Sequence, residues 1–462
     1  NGRKSEEFII FRRKRQMLKK KVYFSPYITI LMSFLIVILI GGGILSLPFV
    51  TISGKGTKLI EGIFTATSAV CVTGLTVNDV STTYNLIGKT IILILIQLGG
   101  IGLITFSSLL ILLVSKEISY YTKKVVQEDI NAETVFNIHK YIKKVIITVL
   151  LIELIGAVVL FFEFIKKFKI SEAIYYSIFH SVSAFCNAGF SLFSDNLESF
   201  KGSMIINTAV PVLIIVGGMG FSTIINVYRY LRKEDKRITT TSKIALKVTA
   251  GFVIFGAFFI FIFEYANIKT MGNYTFIEKI GAAFFQSVTA RTAGFNTMPL
   301  AGMKEITALL FVFLMFVGAS PGSTGGGVKT TTFGLIVLGV ITIIKNKEYI
   351  EYNGRKISWT NFNRAVSIVF ISISYIMVVL FLLILLEPDV NVINLLFELV
   401  SAFGTAGVTR NLTPYLGDVS KILLIITMFI GRVGPLTIVS ALSLKKIKSG
   451  KYKYPEENIL IG

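Results

Sequence analysis

Residues 71–76, Cys-Val-Thr-Gly-Leu-Thr, interrupt an apolar run, and the reading of the whole chain turns on them. A Thr-Gly turn within apolar sequence presents peptide groups that lipid cannot satisfy, so protein must surround it or water must reach it. The turn belongs to a longer phrase, TSAVCVTGL at 67–75, and the phrase recurs as VSAFCNAGF at 182–190, SVTARTAGF at 287–295 and VSAFGTAGV at 400–408. Its glycines, Gly74, Gly189, Gly294 and Gly407, lie 115, 105 and 113 residues apart, and the third copy is one residue shorter between its Ser/Thr-Ala pair and its glycine.

A second series keeps step with the first. GGIGLIT from Gly99, GGMGFST from Gly217, GASPGST from Gly318 and GRVGPLT from Gly431 follow the corresponding turn glycines by 25, 28, 24 and 24 residues. Four pairs in register define a fourfold internal repeat of about 110 residues.

Composition sets the class. Of 462 residues 53% are hydrophobic and 16% charged, and apolar runs of about twenty residues, the length that crosses roughly 30 Å of hydrocarbon, recur throughout. Predicted spans are 28–50, 88–114, 142–165, 203–228, 244–266, 305–344 (interrupted), 365–387 and 419–443. The expected fold is an all-α polytopic membrane protein with eight transmembrane helices around a central pore, without room for a soluble domain of ordinary size. The first span is too long and too late for a cleavable signal. The expected organisation is a basic N-terminal segment at 1–27, repeats at 28–114, 142–231, 244–345 and 365–444, and a tail at 445–462.

The formal charge of +21 invites a nucleic-acid reading, but its placement argues otherwise. Segments 1–23, 115–144, 228–247, 345–364 and 445–462 hold nine, six, seven, five and five Lys/Arg, against twelve in all the intervening loops. The excess therefore orients the chain, with the basic segments and both termini cytoplasmic. The lysines of KKFK at 166–169 are the main misfit. Two cysteines, Cys71 and Cys186, and two histidines, His139 and His180, are too few for a metal cluster or a disulfide framework.

Each repeat reads as a full span, a short apolar segment, the glycine turn and a second span carrying glycines. The short segments, 59–70, 171–185, 276–290 and 392–403, would reach only about 20 Å as helices, so they enter and turn back. Thr275 to Glu278 gives the third a capping-box start. Four such turns imply one shared cavity, where the carbonyls of Val72, Thr73 and Gly74, Asn187, Ala188 and Gly189, Thr292, Ala293 and Gly294, and Thr405, Ala406 and Gly407 replace a cation's hydration shell. The negative ends of four short helices aim at the same place. No carboxylate lies in these copies, which points to a dehydrated monovalent ion, K+. The competing structural reading is close helix packing through small residues, and it is preferred for the second-span glycines such as Gly99 and Gly217.

Gly318, Ala319, Ser320, Pro321, Gly322, Ser323, Thr324, Gly325, Gly326, Gly327 and Lys329 form a stretch that no continuous helix accommodates. The predicted helix before it, 305–317, rises about 20 Å and so places the break past the midplane, below the turns, as a polar loop across the ion path. Val328 separates Gly327 from Lys329, so the stretch fails as a nucleotide-binding loop. Lys329 and Arg432 are ionisable groups at membrane depth, with Arg432 expected either to face this loop or to serve as a buried brace on carbonyls. Arg291, three residues before Gly294, reads as a brace whose partner the sequence does not name.

The four turns, the broken span GASPGSTGGGVK and the Gly431–Arg432 pair together resemble the Trk/Ktr/HKT superfamily of potassium transporters. Eight spans resemble its bacterial KtrB membrane subunits most. The resemblance implies a homodimeric K+ uptake permease in the bacterial cell membrane, with the loop as an intramembrane gate and Arg432 helping to hold it closed. It further implies a cytosolic KtrA-like ring that supplies ATP/ADP control, Na+ stimulation, and K+ selectivity from glycine in all four copies. No cofactor other than K+ is expected on the chain. A Na+- or H+-coupled secondary carrier is the alternative, for which Glu153, Glu163 and Glu264 read as lying near the ends of first spans. No clustered carboxylates, metal set or nucleophile with its base suggests an enzyme.

Overall fold

A computed structural model describes residues 26–102 and 138–434. Expectations for most of the basic segment 1–27, the end of span 88–114, the loop 115–137, the end of span 419–443 and the tail 445–462 fall outside the described residues.

Beyond one-turn helices the order is α1 (Pro26–Leu45), α2 (Leu59–Val70), α3 (Leu86–Ile101), α4 (Ile138–Phe164), α5 (Ile170–Phe185), α6 (Met204–Gly218), α7 (Phe221–Leu231), α8 (Thr240–Glu264), α9 (Phe276–Thr289), α10 (Glu305–Phe316), α11 (Thr330–Ile344), α12 (Trp359–Leu386), α13 (Val392–Gly404) and α14 (Asp418–Val433). A hairpin of β1 (Ile350–Tyr352) and β2 (Arg355–Ile357) lies between α11 and α12. The four short helices α2, α5, α9 and α13 fall within one residue of the expected segments. Their starts follow local chemistry. Thr275 and Glu278 form the reciprocal capping box of α9, and Asn391 accepts from the Ile393 amide at the start of α13.

Helices Ile142–Phe164, α8 and α12 are long and apolar enough to cross a membrane. Their outward faces carry exposed Leu154, Ile254 and Phe370, while Ser181, Ser183, Thr289 and Ser401 are buried. Apolar outside and polar inside is the distribution that a lipid solvent favours.

The packing closes on itself. In each unit the long helix lies against the short one: α1 on α2, α4 on α5, α8 on α9, α12 on α13. Each second helix also packs on the short helix of the next unit: α3 on α5, α6 on α9, α10 on α13, and finally α14 back on α2.

The second helices differ from expectation in one respect. Only the third was expected to break, yet α3 ends at Gly102 (φ 92°), α6 and α7 meet at 102° around Gly220 (φ 86°), and α14 ends at Gly434 (φ 92°). These are the fourth positions of GGIG, GGMG and GRVG, where a glycine takes a left-handed backbone at no steric cost, and at Gly220 a second helix leaves at an angle.

Candidate functional site

The short helices deliver the four turns to one place. Each helix ends where the residue two before the turn glycine goes left-handed: Val72 (φ 57°), Asn187 (φ 60°), Thr292 (φ 76°) and Thr405 (φ 48°). Thr73, Ala188, Ala293 and Ala406 return to negative φ, and Gly74, Gly189, Gly294 and Gly407 are positive again at 99°, 69°, 77° and 70°. Alternating handedness turns successive carbonyls to one side, as a carbonyl-lined cation site requires. A β-branched residue such as Val72 or Thr405 resists that conformation by roughly 1–3 kcal/mol, strain of the kind held at functional sites.

Local hydrogen bonds over-determine the turns. The Thr73, Ala188 and Ala406 amides donate to the carbonyls of Ser68, Ser183 and Ser401 at 2.7, 2.7 and 2.8 Å, each five residues back. In the shorter third copy the Ala293 amide instead reaches Thr289, four back, at 3.0 Å. In the first three copies the hydroxyl at this position holds the chain beyond the turn: Gly74 N donates to Ser68 Oγ (2.9 Å), Ser183 Oγ to the Phe190 carbonyl (2.8 Å) and Thr289 Oγ1 to the Phe295 carbonyl (2.6 Å). Ser401 Oγ in the fourth is buried with no hydrogen-bond partner among the described residues. Sequence reasoning missed this role, although a Ser or Thr stands before Ala in every copy.

The turns form a closed ring. A Cβ on Gly74 would lie 2.6 Å from the Ala188 carbonyl, one on Gly189 2.5 Å from that of Ala293, and one on Gly294 3.3 Å from that of Ala406. One on Gly407 would meet the Thr73 carbonyl. Each glycine thus leaves room for the carbonyl of the following copy, and the fourth does so for the first.

One side of the ring opens into a cavity of about 480 Å³ that the four glycines line together with Asp79, Asp195 and Glu198. Among the described residues no lysine or arginine lines it. Burial alone would raise the Asp79 carboxyl, but hydrogen bonds from Ser194 and Ser81 outweigh it and hold the group below the usual range. Burial and then the charge of Asp195 push Glu198 up, and the bond from Asn296 offsets them only in part. Asn196 Nδ2 donates to the Gly294 carbonyl at 3.3 Å, tying the cavity wall to the ring.

On the other side sits the polar loop of the third unit. Gly326 N donates to Thr405 Oγ1 at 2.8 Å, and a Cβ on Gly325 would run into Thr292 Oγ1. Thr292 Oγ1 also lies 2.9 Å from the Asn187 side-chain amide. Along the ring's axis the order is cavity, glycines, left-handed residues, loop. The loop is tied to its neighbours rather than slack: Gly327 N donates to the Gly431 carbonyl (3.1 Å), Ser320 N to that of Gly218 (3.0 Å), and Phe221 N to that of Gly322 (2.9 Å). Lys329 Nζ bonds back to the Gly325 carbonyl at 2.7 Å.

Arg432 donates to the carbonyls of Thr324 in the loop and Gly99 on α3. It therefore both meets the loop and braces carbonyls, joining the two expectations for it. Arg291 bonds the Gly318 carbonyl (3.1 Å) and the Thr249 carbonyl (3.4 Å), so its partner is the loop and the long helix of its own unit. The glycines before the breaks pack closely, as expected: a Cβ on Gly99, Gly217 or Gly431 would strike the carbonyl of Val70, Phe185 or Phe403 at the end of a short helix. Glu153 corrects its expected position. It lies midway along Ile142–Phe164, buried, accepting from Gln97 Nε2 at 3.0 Å and from Cys186 Sγ at 3.7 Å. Among the described residues no cluster of three or more metal-ligating side chains is present.

A family model of cation transport proteins, TrkH, matches residues 9–453. The chain is 39% identical to the potassium/sodium uptake protein NtpJ of Enterococcus hirae, over 96% of this chain and all of that one. It is 35% identical to the Ktr system potassium uptake protein B of Bacillus subtilis, over 96% of this chain and 98% of that one, and also 35% identical to the protein of that name from Vibrio alginolyticus, over 94% of each. In fold it is similar to the crystal structure of the potassium transporter TrkH from Vibrio parahaemolyticus, with a TM-score of 0.71 at 16% identity, over 92% of this chain and 86% of that one. These are transporters and not enzymes, and the chain belongs to the TrkH family of membrane cation transport proteins.

Proposed function

We propose that this chain is the ion-conducting membrane subunit of a K+ uptake system. In this reading eight spans form four repeats about one pore, both termini are cytoplasmic, and the cavity is its outer mouth. The carbonyls of 72–74, 187–189, 292–294 and 405–407 form the selectivity filter. Residues 318–327 with Lys329 form the gate, and Arg432 latches it.

The single observation that carries this reading is the cyclic ring, in which each turn glycine accommodates the carbonyl of the next copy. Four short-helix C-termini converge on it, so dipoles and carbonyls alike favour a cation. The relatives named as potassium uptake proteins support K+ as the ion. The name Ktr system supports partner subunits, which we take to be a cytosolic nucleotide-binding ring acting on a homodimer, with ATP or ADP bound by the ring.

The test is Gly294→Ser in reconstituted protein, with Rb+ and Na+ fluxes compared. A side chain there presses on neighbouring copies two and four, so K+ over Na+ selectivity falls. Unchanged selectivity would defeat the carbonyl-filter assignment.

A Na+- or H+-coupled carrier is a second reading. It is supported by the buried mid-helix Glu153 and by the name of the potassium/sodium uptake relative. Rb+ accumulation that tracks an imposed Na+ or proton gradient, rather than membrane potential, would favour it.

A further inference from the structure

The polar loop is reached through two arms, α10 and α11, and their outer faces form one wall of a groove that the filter does not use. This groove lies between them and α8 and has a volume of about 450 Å³. Phe252, Phe255, Phe313 and Phe333 line it, with Lys247 and Tyr352 among its polar-headed residues. Its volume falls within the roughly 300–1,000 Å³ typical of ligand sites. Gly251 keeps it open, since a Cβ there would have nothing within 4 Å.

We propose that this groove binds an anionic phospholipid, with an acyl chain along the phenylalanines and the headgroup at Lys247, and that the bound lipid steadies the closed arrangement of the two arms. The inference rests on reading residues 318–327 as the gate.

Charge complementarity argues for the headgroup. Lys247 is exposed in the second turn of α8 and makes no ion pair among the described residues, its ammonium standing 5.5 Å from the centre of the Tyr352 ring. Basic residues at the membrane surface attract anionic lipid. The chain's own terminal segments 1–25 and 435–462 are poor alternatives, with nine and five Lys/Arg against two acidic residues each.

Ring geometry argues for the effect on the arms. Phe252 of α8 stacks on Phe313 of α10 at 5.5 Å and stands edge-on to Phe333 of α11 at 5.1 Å, so it touches both arms. The Arg291 guanidinium lies 5.9 Å from the same ring and bonds the Gly318 carbonyl of the loop at 3.1 Å. An acyl chain against these rings therefore contacts the two sides of the break, and Phe252 links it to the brace that joins the loop to the third filter copy.

The test uses the full chain purified in mild detergent, with retained phosphatidylglycerol measured by mass spectrometry. Rb+ flux is then measured in vesicles of phosphatidylcholine with and without phosphatidylglycerol. Gly251→Leu puts a side chain into the groove from a position where a Cβ meets nothing within 4 Å and Lys247→Gln removes the headgroup contact, while Gly43→Leu, another such open position, on α1, is the control. Lys247→Gln is expected to retain phosphatidylglycerol about fivefold less well, and Gly251→Leu less still. Basal flux of the wild type is expected to be lower with phosphatidylglycerol, and both variants to lose that dependence, while the control keeps both properties. Unchanged retention in Gly251→Leu overturns the site, as does a shift in oligomeric mass without a change in retention, which would assign the groove to a second copy. Lost retention with the wild-type lipid dependence of flux intact overturns the effect on the arms. If the wild type gives no Rb+ flux in either vesicle, the transport reading fails while the retention measurements still decide the site.

Discussion

The second helices stop in two ways. At Gly102, Gly220 and Gly434 one left-handed glycine ends the helix, whereas between α10 and α11 thirteen residues, 317–329, intervene. One residue is enough to turn a helix. The longer break therefore does something besides turning. It fills the space beneath the left-handed residues of copies three and four, and its hydrogen bonds reach the second helices of units two and four directly and that of unit one through Arg432.

Removing the long break tests the contrast most severely. Deleting Ser320 to Gly327 is expected to raise basal Rb+ flux by at least about tenfold, equivalent to about 1.4 kcal/mol in the open–closed balance. Lower or unaltered flux would mean that the loop does not obstruct the path. Arg432→Gln is the next largest change, because it removes two charged donors worth about 1.5–3 kcal/mol each at full strength. With part of that energy recovered by relaxation, basal flux is expected to rise several-fold while K+ over Na+ selectivity stays as it was; a loss of selectivity would place Arg432 with the filter instead of the latch.

The short breaks answer to a different measurement. Gly220→Ala puts a Cβ against the Pro321 carbonyl at a left-handed position, so thermal melting should show a loss of about 1–2 kcal/mol with selectivity intact. No loss of stability would mean that the break at Gly220 is not held by its glycine.

The smallest effect concerns the cavity. Because Glu198 is raised, it is charged only above a higher pH than an ordinary glutamate, and it takes up its proton before Asp79, which is lowered. As pH falls the cavity loses negative charge at Glu198 before it does at Asp79. Glu198→Gln is therefore expected to reduce flux modestly at neutral pH and to remove the first acid step in the pH profile. A profile with that step unchanged would assign it to another group.

Much of this was legible in the chain. The repeated phrase located the short helices to within a residue, because their length and the glycine after them leave little freedom, and the capping box at Thr275 lies where its residues predict. The single missing residue of copy three reappears as a hydrogen bond four rather than five residues long. The cavity carboxylates were not legible. Asp79 belongs to the first unit and Asp195 and Glu198 to the second, and only closure of the ring brings them to one wall. The partners of Arg432 lie 108 and 333 residues away, beyond any local pattern. The break at Gly220 was missed for a different reason: an apolar run with glycines in it reads equally well as one tilted span or as two helices meeting at an angle.

The ring also has a sense of rotation. A methyl group added at Gly407 would displace the first copy through Thr73, whereas one at Gly189 would press on the third through Ala293. Damage in the first, second and fourth quarters thus passes to the successor in chain order, whereas a Cβ on Gly294 would come nearest Gly189 behind it, at 2.9 Å. A second-site suppressor of a lesion in one of those three quarters belongs downstream around the circle, not upstream.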